Sequence, residues 1–235
     1  MLRGFCCTLV FAALLGPGND VNSVRRALEN RYHHARTLKA IFFERASDGS
    51  GGAVAASGTV YFSRPGRMRW EYESPQQKLF LVDGTNAWFY LPADHTASRA
   101  KISESSDWRT PLALLAGKAD LSELCRKLDL VGPGVPSGGE EKPLTAGDSL
   151  LRCIPRDNPP ENSADKGTGL PYVLLEADPE GWLVRVLIRE PGNLETEFRF
   201  GNWEENLPIP EAKFHFQPPS GVQIVDQQSL AGQIR

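Results

Sequence analysis

The sequence predicts a mainly β protein (α+β), built as a single curved antiparallel sheet with helices on its concave side. Three observations support this fold class. From Lys39 onward, apolar and polar residues alternate in short runs with a period of two, which is the pattern of half-buried strands. The chain holds 22 Gly and 18 Pro, the residues that tight turns need. A segment before Lys39 has helical periodicity and offers an apolar stripe that a sheet can bury.

The N-terminal residues have the pattern of an export signal. One Arg near the start is followed by an apolar run over residues 5–15. That run is too short to span a bilayer and has the length of a signal-peptide hydrophobic region, although Gly16, Pro17 and Gly18 stand where an A-x-A cleavage site is usual. We expect a signal peptide over residues 1–18 and a single domain over 19–235. A buried helix fragment and a short membrane anchor are the alternatives.

An amphipathic helix is predicted next. Asp20 can cap its first turn. Apolar residues then recur at spacings of three and four, which is one stripe of a helix: Val21, Val24, Leu28, Tyr32, Ala35 and Leu38. His33 and His34 are adjacent, so they point in different directions and make poor joint ligands for a metal.

Five antiparallel strands are predicted after this helix. In chain order they are KAIFFERA, SGTVYFSRP, RMRWEYESP, QKLFLVDG and NAWFYLP. The pairs Asp48-Gly49 and Asp83-Gly84 provide the turn chemistry of tight hairpins. In the third strand Met68, Trp70 and Tyr72 face one side, and the charged residues between them face the other.

The pattern changes after a strand near residues 98–102. The run RTPLALLAGKADLSELCRKL predicts two short helices, because Thr110 before Pro111 is a good helix start and Asp120 with Glu123 resembles a capping box. Strand-like runs then resume around two Pro/Gly-rich loops: SLLRCIP, PYVLLEAD, WLVRVLIRE, LETEFRF and AKFHFQPPSGVQIVDQQ. The total is about ten to eleven strands.

Two cysteines lie outside the predicted signal. Cys125 and Cys153 flank the loop at 131–147 almost symmetrically, so a hairpin could bring them opposite each other. An even pair in an exported chain can form a disulfide. Two buried free thiols are the alternative, and the sequence leaves both open.

Charge and motifs argue against several functions. The net charge of −3 comes without a basic stripe, which argues against nucleic-acid binding. The sequence contains no G-x-S-x-G, H-E-x-x-H, C-x-x-C or P-loop, and its four histidines form no cluster. We therefore expect no enzyme, no catalytic residues and no metal site.

Large apolar side chains on neighbouring strands are the positive signal. The set consists of Trp70, Tyr72, Leu79, Leu81, Trp88 and Tyr90. It exceeds what one helix can cover, so either further helices or an apolar ligand must complete the core. An ordinary core beneath the front helix is the alternative for any one of these residues.

Four runs of sequence resemble the outer-membrane lipoprotein carrier protein family, LolA. RPGRMRWEYESP, LFLVDGTNAWFYLP, TPLALLAG and AKFHFQPPSGV follow one another in the order of that family, and the resemblance covers roughly residues 21–228. It implies an unclosed half-barrel of about eleven antiparallel strands, with helices as a lid on the concave apolar face. Between residues 132 and 169 the chain is longer and richer in Pro and Gly than the family pattern.

The resemblance also implies a function. Such carriers take lipoproteins from an inner-membrane ABC transporter, shield their acyl chains across the periplasm and deliver them to an outer-membrane acceptor. They act as monomers without metal or organic cofactor. An exported lipid-binding or envelope-stress sensing module that does not shuttle lipoproteins is the alternative, and an enzyme on the same scaffold is a third hypothesis.

Individual roles follow from the same resemblance. Arg64 lines up with the switch arginine of the family, which hydrogen-bonds the lid and keeps the empty cavity closed; a guanidinium has the five donors that this needs. A surface position at the end of a strand is the alternative for Arg64. The lid is matched by Leu112, Leu114 and Leu115. Met68 joins the six residues above as part of the implied acyl cavity, because Met is apolar and adaptable.

Overall fold

A twelve-stranded sheet forms the body of the protein in the computed structural model, which describes residues 20–47, 49–102, 114–117, 120–132, 141–156 and 171–227. The strands are β1 (Thr37–Ser47), β2 (Ala53–Ser63), β3 (Arg67–Ser74), β4 (Lys78–Val82), β5 (Asn86–Leu91), β6 (Thr96–Lys101), β7 (Cys125–Val131), β8 (Ser149–Pro155), β9 (Tyr172–Ala177), β10 (Leu183–Glu190), β11 (Leu194–Glu205) and β12 (Gln223–Asp226). The helices are α1 (Val21–His34) and α2 (Leu121–Leu124), with 3₁₀ turns at Pro92–Asp94, Pro191–Asn193 and Glu211–Phe214.

The strand order shows that the sheet is not closed. Across the sheet it runs β12-β6-β5-β4-β3-β2-β1-β11-β10-β9-β8-β7, so β12 and β7 are its edges. Ten of the eleven pairings are antiparallel, and the pairing of β12 with β6 is parallel. The predicted mainly β, unclosed half-barrel is therefore confirmed, with twelve strands in place of about eleven.

Two strands differ from the sequence expectations. β7 begins within the second of the two predicted short helices, which the Asp120 and Glu123 capping pattern indicated, and only Leu121–Leu124 is helical there. β12 is a four-residue strand at the end of a longer run predicted as strand, most of which is a 3₁₀ turn and irregular chain. The remaining predicted strands are present.

The predicted helix start at Asp20 is confirmed. The Asp20 carboxylate accepts hydrogen bonds from the backbone N–H groups of Asn22 at 2.7 Å and Ser23 at 3.0 Å, which satisfies two donors that the first turn leaves free. Val24, Leu28 and Tyr32 are buried against the sheet. Tyr32 also accepts a hydrogen bond from the N–H of Leu183 in β10 at 2.8 Å, so α1 is fixed to the second half of the sheet.

The main core lies between the sheet and the helices. It contains apolar residues from α1, the 114–117 segment, α2 and eleven of the twelve strands. Its largest fully buried side chains include Trp70, Phe42, Phe62 and Phe198. Burying one such side chain contributes about 1.5–3 kcal/mol, so this layer dominates the stability of the fold. We call the side of the sheet that it covers the helical face, and the other side the outer face.

The structure joins Cys125 and Cys153 by a disulfide with an S–S distance of 2.08 Å. The bond connects the first residue of the edge strand β7 to β8, directly after α2 ends.

Within the described residues no helix has the length and hydropathy that a membrane span requires. Across the same part of the chain, His, Cys, Asp and Glu side chains form no group of three or more that could hold a metal ion. The expected signal peptide, residues 1–18, lies outside the described residues.

Candidate functional site

The helical face carries a dense aromatic cluster on β1, β3 and β11. The ring of Phe42 lies 4.8 Å from that of Trp70 and 4.9 Å from that of Tyr72, measured between centroids. Trp70 also lies 5.3 Å from Phe198. Met68 is on the same face and packs, partly buried, against this core. Three of the seven predicted cavity residues are therefore brought together under the helices.

The other four predicted cavity residues lie on the outer face. The register opposes Trp70 to Phe80 and Phe80 to Phe89, so the latter two share the face of Trp70. Leu81 is instead opposed to Arg69, which places it on the charged side of β3. The prediction was wrong for Leu79, Leu81, Trp88 and Tyr90, and the positions beside Trp70 belong to Phe80, Val82 and Phe89. Every residue from Leu79 to Val82 is apolar, so alternation in β4 could not indicate which ones face the helices.

The C-terminal segment covers these outer residues. Phe216 lies 5.1 Å from Trp88 and 5.3 Å from Tyr90, and Arg69 donates a hydrogen bond to the carbonyl of Lys213 at 3.0 Å. The apolar outer face of β4 and β5 is thus accounted for by packing within the chain.

Arg64 connects the end of β2 to the 114–117 segment. Its Nη2 donates to the carbonyl of Leu114 at 2.9 Å, and the next glycine, Gly66, donates its N–H to the carbonyl of Ala116 at 2.8 Å. A Cβ on Gly117, whose φ is 69°, would lie 2.6 Å from Arg64 Nε, so only glycine leaves room for the guanidinium there. Burial lowers the pKa of Arg64, while the charge of Asp120 opposes that change. Of the predicted lid residues, Leu114 and Leu115 are buried, and Leu112 lies outside the described residues.

Polar contacts also hold α2 against α1. The buried Glu29 accepts from the N–H of Leu121 at 3.1 Å and pairs with Arg25 at 2.8 Å. His33 Nε2 lies 2.6 Å from the carboxylate of Asp120, the residue that caps α2. The predicted capping box of Asp120 and Glu123 is confirmed. Sequence reasoning missed Glu29, because a carboxylate beside arginines on a helix is usually solvated.

Glu44 is a buried carboxylate that sequence reasoning also missed. It lies on the helical face, two residues after Phe42, and its relative exposure is 2%. Neither of its carboxylate oxygens makes a hydrogen bond of good geometry within the described residues, although the Tyr72 hydroxyl lies close to the carboxyl group. Burial raises the pKa of Glu44, and the neighbouring Tyr72 hydroxyl and Lys78 ammonium oppose that rise. A signal was available, since the period of two in KAIFFERA puts Glu44 in phase with the buried Ala40 and Phe42.

Comparison with known proteins decides the family. A family model described as outer membrane lipoprotein carrier protein LolA matches residues 33–128. The outer-membrane lipoprotein carrier protein of Chromobacterium violaceum is 30% identical over 191 residues, which cover 81% of this chain and 82% of that one. The chain belongs to the LolA family. A relative with the same description from Nitrosospira multiformis is 29% identical and covers 95% of this chain and 97% of its own length. A solved LolA superfamily structure from Nitrosomonas europaea is similar over 85% of this chain and 99% of its own, with 9% identity and a TM-score of 0.43.

The LolA family model covers much of the geometry described above, but not most of α1 or β11. The matched range contains all of β1 to β6, α2, Arg64 and the 114–117 segment. The resemblance noted in the sequence is confirmed.

Proposed function

We propose that this protein is a periplasmic carrier that binds the acyl chains of lipoproteins on its helical face. It takes them from an inner-membrane lipoprotein-releasing ABC transporter and delivers them to an outer-membrane acceptor, as a monomer and without a cofactor. One observation carries the proposal: a broad aromatic face under a short helical cover, in a chain whose relatives are named lipoprotein carriers.

The energetics of acyl chains explain why such a face needs a cover. Each buried CH₂ contributes about 0.8 kcal/mol, so a carrier must offer several chains an apolar surface comparable to the bilayer. The same surface left exposed would make the empty protein aggregate. α2 has four residues, too few for a helix that is stable alone, so its position depends on its contacts. A cover held by contacts alone can close on the empty face and move when a ligand enters.

The acyl-binding residues in this proposal are Met68, Trp70 and Tyr72, with Phe80, Val82 and Phe89 beside them. Leu79, Leu81, Trp88 and Tyr90 are not part of it, because Phe214 and Phe216 lie on their side of the sheet. The lid consists of Leu112, Leu114 and Leu115 with α2.

Arg64 acts in this scheme as the switch that favours the closed state. Arg64 donates a hydrogen bond to the carbonyl of Leu114. Because the donor is charged, this bond contributes about 1.5–3 kcal/mol, more than a bond between neutral groups. Movement of the 114–117 segment breaks that bond. The closed state therefore helps to expel the ligand at the acceptor.

A matched pair of tryptophans tests the proposal. Trp70 and Trp88 are both buried and lie on nearby strands, but only Trp70 is on the helical face. We expect Trp70→Ala to weaken binding of a triacylated lipopeptide about thirtyfold, since losing about 80 Å² of apolar contact removes about 2 kcal/mol. Trp88→Ala should change the Kd less than twofold.

Isothermal titration calorimetry at a temperature where both variants are folded by circular dichroism gives the comparison. Equal losses in the two variants, or a loss in Trp88→Ala alone, would contradict the site. Binding of free phospholipid without any binding of lipopeptide would contradict the carrier and favour the lipid-binding or stress-sensing module.

A further inference from the structure

The described part of the chain contains four buried carboxylates, and one of them, Glu44, differs from the other three in its hydrogen bonding. Three have hydrogen-bond partners: Glu29 with Arg25 and the N–H of Leu121, Glu176 with Arg185 and the N–H of Leu144, and Glu197 with Arg185 and Arg199. Neither oxygen of Glu44 makes a hydrogen bond of good geometry, although the Tyr72 hydroxyl and the Lys78 ammonium lie close enough to act on its pKa. Because an unpartnered buried carboxyl is expensive, its presence on the helical face needs an explanation.

Two further polar atoms without partners lie in the same cluster. Trp70 Nε1 and the Tyr72 hydroxyl are buried and make no hydrogen bond of good geometry within the described residues, although the Tyr72 hydroxyl lies beside the Glu44 carboxyl. Both rings contact Phe42, and Glu44 follows Phe42 on the same face of β1. The three polar groups therefore surround one phenylalanine in the middle of the proposed acyl-binding face.

The chemistry of these groups is that of donors. An indole N–H can only donate, and a phenol O–H donates readily. Burial raises the pKa of Glu44, while Tyr72 and Lys78 oppose that rise, and the carboxyl is a third O–H donor when it holds its proton. Lys78 faces this group, with its ammonium 4.1 Å from the centroid of the Tyr72 ring. Leucine and phenylalanine at these positions would avoid the penalty of unpaired groups, so the polar atoms serve a bound molecule better than the empty protein.

We propose that Glu44, Tyr72 and Trp70 form a polar subsite that hydrogen-bonds the ester and amide carbonyls at which acyl chains join the head of the ligand. This inference rests on the proposed function, because it places those carbonyls among chains bound to the helical face. An ester carbonyl is a hydrogen-bond acceptor with hydrocarbon on both sides. It is therefore complementary to a few hydrogen-bond donors surrounded by aromatic side chains. Both a triacylated lipopeptide and a diacyl phospholipid carry such carbonyls.

Paired ligands that differ only at the carbonyl test the subsite. The first pair is a triacylated lipopeptide and its analogue in which the two glyceryl esters are ethers. We expect the wild-type protein to bind the ester form about five- to tenfold more tightly, as hydrogen bonds of this kind predict. Tyr72→Phe and Glu44→Leu should reduce that preference to less than twofold. Phe42→Leu, an apolar change in the same cluster, should weaken both ligands equally.

The stability of the empty variants gives a second readout. Glu44→Leu removes an unpaired buried group, so its melting temperature in the absence of ligand should equal or exceed that of wild type while its ester preference falls. A lower melting temperature with an unchanged ester preference would overturn the subsite. Tyr72→Phe keeps the test decisive if Glu44→Leu fails to fold.

The outcomes separate this inference from the carrier proposal. Equal binding of ester and ether lipopeptides by wild type overturns the subsite and leaves the carrier standing. If neither lipopeptide binds, the carrier proposal fails, and the same comparison is made with diacylphosphatidylethanolamine and its diether. An ester preference there that Tyr72→Phe abolishes supports the subsite with a phospholipid as its source; no preference overturns it.

Discussion

Removal of the Cys125–Cys153 disulfide should lower the free energy of unfolding by about 3.6 kcal/mol. The bond closes a loop with a sequence separation of 28. For such a loop the chain-entropy treatment gives about 12 cal/mol/K of entropy removed from the unfolded chain, or about 3.6 kcal/mol at 25 °C. With a urea m-value of about 2.5 kcal/mol/M, the unfolding midpoint should fall by about 1.4 M.

The assay compares urea unfolding of the oxidised protein with that of the Cys125→Ala/Cys153→Ala variant, followed by tryptophan fluorescence. Reducing agent should shift the wild-type midpoint toward that of the variant and leave the variant unchanged, which controls for effects of the substitutions. A midpoint shift smaller than about 0.4 M at an unchanged m-value would refute the reasoning, because the loop would then add little to the entropy of the unfolded chain.

Two further predictions concern the lid and one hairpin. Arg64→Leu, which loses the hydrogen bond to Leu114, should still load lipoprotein but transfer it to the acceptor about tenfold more slowly, while Arg67→Leu, whose side chain pairs with Glu211, should transfer normally. Equal transfer rates would exclude the switch role. For Asp83, burial acts to raise the pKa, but hydrogen bonds from two backbone N–H groups and the Trp88 indole outweigh it and lower the pKa. The contribution of ionised Asp83 to the stability of the folded protein is therefore fully present above the ordinary pKa of Asp. It is lost as the pH falls through the lower pKa that Asp83 has in the folded protein. Asp83→Asn should flatten the decline of the melting temperature over that acidic range, and an unchanged slope would contradict this account.

The first half of the sheet was predictable because each local signal agreed with the fold. Asp20 caps α1 as its side chain demands, and β3 alternates between apolar and charged residues, so its buried face could be identified. Neighbouring β4 is apolar at four consecutive positions. Which residues of β4 face the helices depends on the register of β4 with β3. That register is a property of the folded sheet and cannot be determined from the sequence of β4 alone.

The errors at β7 and β12 have a similar origin. The capping pattern of Asp120 and Glu123 indicates a helix, yet the chain leaves α2 at Cys125 because that residue pairs with Pro155 in β8. β12 forms only because the C-terminal segment returns to the edge strand β6 in parallel. Tertiary pairing decides both segments, and local propensity does not.

The candidate site was predictable in part for the same reason. Alternation in β3 identified Trp70 and Tyr72, and the family resemblance identified Arg64. The contact of Glu29 with α2 joins residues 92 positions apart, and no local pattern predicts it. The alternation of β1 places Glu44 on the same face as its buried residues and could have identified it. A charged residue at such a position is nevertheless usually expected to be exposed to solvent.

The contacts that hold the cover set a scale for ligand entry. Within the described residues, six polar contacts tie the helical segments to the sheet and to α1: Arg64 to Leu114, Gly66 to Ala116, Glu29 to Leu121, His33 to Asp120, and Arg156 to both Ser122 and Leu124. At about 2 kcal/mol for the bond from the charged Arg64 and about 1 kcal/mol for each of the other five, they contribute about 7 kcal/mol to the closed state. About nine buried CH₂ groups offset that amount at about 0.8 kcal/mol each. A lipoprotein with several long acyl chains exceeds this threshold many times over, whereas a short apolar side chain does not reach it. The weakness of these ties therefore favours opening by acyl chains over opening by ordinary peptide segments.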